Sequence, residues 1–162
     1  MDMQPKLLAA MPDASELENR ARILAQGAAL FKLPIYLTEQ RSEKLGKIID
    51  PIRSMAGKSS IWSKTRFSAS EFARQIKEPT ILLCGIETHI CIRQTAYDLR
   101  QQNKIVIIVA DATRSRHPCD QKIALRELQH DQFLITSVEA LLFELLESAD
   151  HPQFKSILDL IR

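Results

Sequence analysis

Two short apolar runs constrain this chain more than any other feature. They are "TILLCGI" at 80–86 and "KIVIIVADA" at 104–112. Runs of this length suit strands covered on both faces better than helices. Between them, "HICIRQTAYDLRQQ" (89–102) has helical spacing through Ile92, Ala96 and Leu99. A strand, a helix and a second strand in that order call for a right-handed crossover and a parallel pair.

The rest of the chain repeats the alternation. "ELENRARILAQGAALFKL" (16–33) carries Leu17, Ala21, Leu24, Ala28 and Phe31 on one helical stripe, with Asp13 or Ser15 placed to cap it. "PIYLT" (34–38) reads as a buried strand, 40–66 as polar and irregular, and "SASEFARQI" (68–76) as a short capped helix. "CDQKIALRELQHD" (119–131) is helical and "QFLITS" (132–137) a third strand of this half. Ser137 caps "VEALLFELLES" (138–148), and Pro152 opens a last helix with Phe154, Ile157, Leu158 and Ile161 on one side. The pattern predicts an α/β protein of three layers, α/β/α, with a mostly parallel central sheet. A single domain over 1–162 fits the length. The start is the exception: only "MDMQPKLLAAMP" precedes the first long helix, and it does not read as a strand, so the first strand is missing or truncated.

Bulk properties exclude several function classes. A formal net charge of +2, evenly spread, gives no footprint for nucleic acid or an anionic membrane. The longest wholly apolar runs, such as "IVIIVA" (105–110), fall far short of the roughly 20 residues of a membrane span. "MDMQPK" puts an acid where a secretory signal would be basic, which reads as cytoplasmic. Three cysteines, Cys84, Cys91 and Cys119, make an odd count without a repeated spacing, against a disulfide scaffold or a zinc ribbon. With four glycines and no phosphate loop, a nucleotide-binding reading fails.

In an open parallel sheet, ligands bind beyond the carboxyl ends of the strands. Gly85 to Cys91 lies there, and a helix start offers free N–H groups and a positive dipole end that lower a thiol's pKa. Position alone leaves Cys91 as either a nucleophile or a small buried apolar side chain. Cys84, inside the apolar run, fits the second role, and Cys119 repeats the helix-start argument more weakly. No histidine is legible as a partner: His89 is two residues from Cys91, and His117, His130 and His151 sit in loop or helix-end contexts, as does Ser115.

"LLCGIETHICIRQTAYDL" (82–99) resembles the nucleophile segment of the isochorismatase-like cysteine hydrolases, with Gly85, Ile86, Glu87, Thr88 and Cys91 filling the pattern in order. "IVADATRSR" (108–116) resembles the following strand and turn, "DMQPKL" (2–7) the acidic motif, and "SKTRFSA" (63–69) the segment with the catalytic lysine. "TEQRSEKLG" (38–46) resembles a stretch of the isochorismatase-domain-containing subgroup. The resemblance spans 2 to about 140 and implies a Rossmann-like topology, with an apolar strand directly before the acidic residue in the middle of the sheet.

It also implies a triad. Asp2 takes the thiol proton, Lys64 holds that carboxylate and favours the thiolate, and Cys91 attacks a carbonyl carbon. The N–H groups of Glu87 and Cys91 form an oxyanion hole beside a cis peptide at Ile86–Glu87, a bond that costs about 3–4 kcal/mol. Gln40, Trp62, Phe67 and Thr88 are candidates for the substrate pocket, with Thr88 also placed to cap the helix. Arg114 and Arg116 could touch an anionic substrate or face water. The implied activity is hydrolysis of a small amide-like substrate through a thioester. Relatives acting on nicotinamide hold a metal with histidines after the second strand; residues 39–60 contain none, which implies no metal and no cofactor. The expected partners are a small molecule and further copies of the chain in a homo-oligomer. The alternative is a catalytically weak or inactive relative that keeps the fold for binding or assembly.

Overall fold

The computed structural model describes residues 1–57 and 60–162. After a single turn α1 (Pro5–Leu8), the long helix α2 (Ala14–Leu30) leads to strand β1 (Leu37–Gln40). Two more single turns, α3 (Ser42–Leu45) and α4 (Asp50–Arg53), precede β2 (Ile61–Lys64). Then come a 3₁₀ segment (Ser70–Gln75), β3 (Thr80–Ile86), a π-turn (Thr88–Ile92) and α5 (Arg93–Gln101). The chain continues through β4 (Ile105–Arg114), α6 (Pro118–His130), β5 (Leu134–Thr136), α7 (Val138–Leu146) and α8 (Phe154–Ile161). Among the described residues, no helix is long and apolar enough to cross a membrane.

All strand pairs are parallel. β1 pairs with β2 from Leu37–Ile61 to Gln40–Lys64, and β3, β4 and β5 form a second set in that order. The two sets are joined by the first residues of the chain. Asp2 N donates to Thr38 O (2.9 Å), and Ile86 N donates to Met1 O (3.1 Å). The terminal ammonium of Met1 donates to Cys84 O (2.6 Å). The spatial order is therefore β2, β1, residues 1–2, β3, β4, β5, and the central position holds two residues rather than a full strand. Gly85 makes this possible: its φ is +129°, and a Cβ there would collide with the backbone of Met1.

Helices cover both faces. On one, α2, α7 and α8 close a cluster of Ile23, Leu24, Val109, Val138, Leu142 and Ile157. Gly27 lets α2 and α7 touch, since a Cβ on it would run into the Leu142 side chain. On the other, α5 and α6 pack Ala96, Leu99 and Leu128 against Val106 and Ile108. A third cluster, with Met3, Leu17, Leu37 and Ile52, closes the β1 side.

Several boundaries differ from the expected ones. The first long helix begins at Ala14, with Asp13 at its cap position but making no side-chain cap bond. Within 68–76, Ser70–Gln75 is 3₁₀ rather than α-helical. The helix expected over 89–102 is split, because Ile92 N reaches back to Glu87 O (3.2 Å) and inserts a wider turn before α5. The stretch read as irregular contains β2, whose four residues carry two polar side chains and give no clear period; Lys58 and Ser59 of that stretch lie outside the described residues.

Candidate functional site

Three distant segments converge at the carboxyl ends of β1, β2 and β3. Asp2 stands beside Thr38 of β1, Lys64 ends β2, and Cys91 lies in the π-turn after β3. All three are buried: Asp2 is 0% exposed, Lys64 2% and Cys91 6%. Asp2 holds a left-handed backbone, φ 59°, and its Oδ1 accepts from Thr38 Oγ1 at 2.8 Å. Lys64 Nζ lies 2.8 Å from Asp2 Oδ2 as an ion-pair contact. The same ammonium donates to Gln40 Oε1 (2.6 Å) and Phe67 O (2.9 Å) and stands 3.9 Å from Cys91 Sγ. Arg66 O accepts as well (3.3 Å), so Gln40, Arg66 and Phe67 supply oxygen acceptors for the three protons of the ammonium while Asp2 balances its charge, and a buried cation is tolerable only on those terms.

The thiol differs from the expected thiolate. Burial pushes the Cys91 thiol up, the negative Asp2 pushes it further, and Lys64 opposes; the result is about 12. A hydrogen bond to Asp2 and the charge of Glu87 act in the same upward direction. The dipole at the turn start does not overcome desolvation. In the resting site, the proton therefore stays on sulfur.

The other candidates separate. Gln40 clamps Lys64 and donates from Nε2 to Thr65 O (2.8 Å). Trp62 is stacked between Tyr36 (centroids 5.3 Å apart) and Phe72 (4.8 Å), where it walls an apolar cleft between β1 and β3 rather than the thiol. Phe67 is 52% exposed and borders a surface concavity with Arg66, Arg93 and Tyr97. Thr88 is fully buried, caps nothing, and its Oγ1 has no hydrogen-bond partner among the described residues. The Ile86–Glu87 peptide is trans. Glu87 instead takes a left-handed conformation, φ 56° and ψ 73°, and this turns the chain out of β3.

Residues that sequence reasoning passed over hold the site together. The Gln4 amide substitutes for a peptide group: its Oε1 accepts from Gln40 N (2.8 Å) and its Nε2 donates to Gln40 O (3.1 Å). Glu39 accepts from Ile48 N (3.0 Å) and pairs with Arg53. His89, two residues from Cys91, makes its contacts with Ser115 Oγ (3.0 Å), Glu87 Oε2 (3.3 Å) and Asp120 Oδ2 (3.7 Å) rather than with the thiol. Arg116 also reaches Glu87 (3.5 Å), while Arg114 pairs with Glu16 (3.6 Å). The signal for Gln4 and Glu39 was their place in the quoted "DMQPKL" and "TEQ" stretches; Thr38 offered none beyond the latter.

Fold and site together define a parallel three-layer α/β protein with a thiol, a carboxylate and an amine in one buried cluster. The isochorismatase domain profile matches residues 1–140. Isochorismatase family protein 2A of Dictyostelium discoideum is 31% identical over 99% of this chain and 86% of its own length. Isochorismatase domain-containing protein 1 of Danio rerio is 34% identical over 99% of this chain, which spans 59% of that protein. A solved structure described as the MAR1 ribonuclease of Caenorhabditis elegans superposes with a TM-score of 0.92 at 30% identity, covering 99% of this chain and 85% of that one. The chain belongs to the isochorismatase family.

Proposed function

We propose that this protein is a cysteine hydrolase cleaving a small amide-like C–N bond without a metal. One observation carries the reading: Lys64 Nζ lies 2.8 Å from Asp2 Oδ2 and 3.9 Å from Cys91 Sγ, with all three side chains buried. A proton held on sulfur beside a carboxylate suits concerted attack. As Sγ adds to the carbonyl carbon, its proton passes to Asp2, and Lys64 keeps that carboxylate in place. The N–H groups of Glu87 and Cys91 receive the oxyanion. Collapse of the adduct expels the amine, which takes the proton from Asp2, and leaves a thioester on Cys91. Water then attacks the thioester with Asp2 as base, releasing the acid and restoring the thiol.

The test is a panel of small primary amides, with a short RNA included because the worm relative is described as a ribonuclease. Turnover by the wild type is compared with that of two variants: Cys91→Ala should lose it and Cys84→Ala should keep it. A chelator should leave the wild-type rate unchanged. Intact-mass detection of an acyl adduct on Cys91 would support the thioester. RNA cleavage that survives Cys91→Ala would overturn the reading.

A second reading, a weakly active relative that binds or assembles, draws on the thiol's raised pKa and its 6% exposure. It predicts no adduct with any amide. The homo-oligomer is also proposed; exposed Phe67, Ile123, Leu134 and Phe143 offer apolar surface for it, and light scattering reads the mass directly.

A further inference from the structure

We propose that Glu87 selects substrates carrying a cationic nitrogen group, an ammonium or an amidinium, close to the carbonyl that is cleaved. The inference rests on the hydrolase reading for its reaction and names the substrate class. Glu87 is 8% exposed, and its Oε2 has no hydrogen-bond partner among the described residues. Its backbone is left-handed, φ 56°, an uncommon conformation for a residue with a long side chain. The neighbouring groups leave the carboxylate incompletely answered. Arg116 Nε lies 3.5 Å from Oε1, beyond the roughly 2.7–2.9 Å of a charge-assisted hydrogen bond. The Arg116 side chain is also 53% exposed, so water competes for it. His89 Nδ1 lies 3.3 Å from Oε2 but 3.0 Å from Ser115 Oγ. One ring nitrogen carries at most one proton, and Ser115 is the nearer partner. Lys64 is committed to Asp2, Gln40 and Phe67 O.

A buried carboxylate oxygen without a donor is costly until a ligand supplies one. An anionic substrate would be repelled by Glu87, and a neutral one would leave its charge unbalanced. An ammonium or amidinium brings both the charge and the N–H donors. One residue then reads two parts of the substrate. In the proposed reaction the Glu87 N–H receives the oxyanion, and its own carboxylate holds the cation, which is why the two groups must be near neighbours in the substrate. The charge of Glu87 is also among the causes that raise the Cys91 thiol. A cation set against Glu87 removes that opposition, so a matching substrate eases attack by the sulfur on its own carbonyl. Arg116 is the place-holder that such a substrate displaces into solvent.

The experiment reads charge selection at the thiol without requiring turnover. Aminoethyl, ethyl and sulfonatoethyl methanethiosulfonate are similar in shape and differ in charge. Their rates at Cys91 are followed by peptide mass spectrometry and divided by their rates with mercaptoethanol, which removes their intrinsic reactivity. Taking the ratio of two reagents on one protein also cancels any change in the thiol's pKa. The cationic reagent should be favoured over the neutral one by roughly tenfold or more, and the anionic reagent should be slowest. Glu87→Gln should bring the ratio near unity, and Arg116→Gln, which uncovers Glu87, should raise it. A wild-type ratio near unity, or one that Glu87→Gln leaves unchanged, overturns the proposal. If Glu87→Gln does not fold, Arg116→Gln decides: no rise in the ratio overturns it. A Cys91 that none of the reagents reaches overturns it too. Turnover of β-alaninamide and propanamide forms the second arm, and β-alaninamide should have the higher kcat/KM only while Glu87 is present. Equal turnover of the two sinks the charge selection and keeps the hydrolase. Charge selection at the thiol with turnover of neither sinks the hydrolase and keeps Glu87 as the cation's partner.

Discussion

The half of the sheet built on β3, β4 and β5 and the half built on β1 and β2 are stabilised by different means. The first is an aliphatic sandwich, with Val106, Ile108 and Val109 buried between helices. The second meets its neighbours through buried polar groups: Gln4 on Gln40, Glu39 on Ile48 N, and Lys64 on Asp2, Gln40 and Phe67 O. The candidate site lies on the seam between them, with the thiol supplied by the apolar half and its partners by the polar one. The candidate site thus lies where packing alone does not fix the chain, and directional bonds fix it instead.

Substitutions in the two halves should therefore fail differently. The largest loss is expected for Lys64→Met, which leaves the buried Asp2 carboxylate without its cation and should cost about 3–5 kcal/mol by urea unfolding. Lys64→Met with Asp2→Asn together should recover part of that loss. In the apolar half, Leu142→Ala removes a fully buried side chain that fills the space over Gly27, and should cost about 2–5 kcal/mol. No second substitution among charged residues rescues it. Gln4→Leu should cost about 1–3 kcal/mol, because it leaves Gln40 N and O unmet. Its signature is faster amide exchange at Gln40 with unchanged exchange in β4.

A pH dependence, slight at neutral pH, comes last. The folded thiol of Cys91 is raised from 9.0 to about 12. Between those values the unfolded chain has released the proton that the folded chain retains. Stability is therefore full below about pH 9 and falls as pH rises, by about 1.4 kcal/mol per unit for one such group. Cys84 and Tyr97 shift in the same direction, so the share of Cys91 is the difference in slope between the wild type and Cys91→Ala.

The apolar half was legible in the sequence because its signals are local. "TILLCGI" is β3 to the residue, and Ser137 caps α7 by accepting from Ala140 N (3.3 Å). The polar half was not. β2 has four residues and mixed polarity, and nothing near Gln4 reveals that its amide will stand in for a backbone 36 positions away. The trio of Asp2, Lys64 and Cys91 came from resemblance, not from spacing, since residues so far apart in the chain share no periodicity. The expected direction of the thiol's shift was wrong because a helix start is visible in sequence and desolvation is not.

Alkylation of Cys91 by iodoacetamide, followed by peptide mass spectrometry from about pH 7 to about pH 10, tests the central claim that sulfur, carboxylate and amine act as one unit. In the wild type the rate should keep climbing across the whole range. In Asp2→Asn, where the negative neighbour is gone, a plateau should be reached at lower pH. A wild-type thiol that titrates near its ordinary 9.0, indifferent to Asp2→Asn, would contradict that claim.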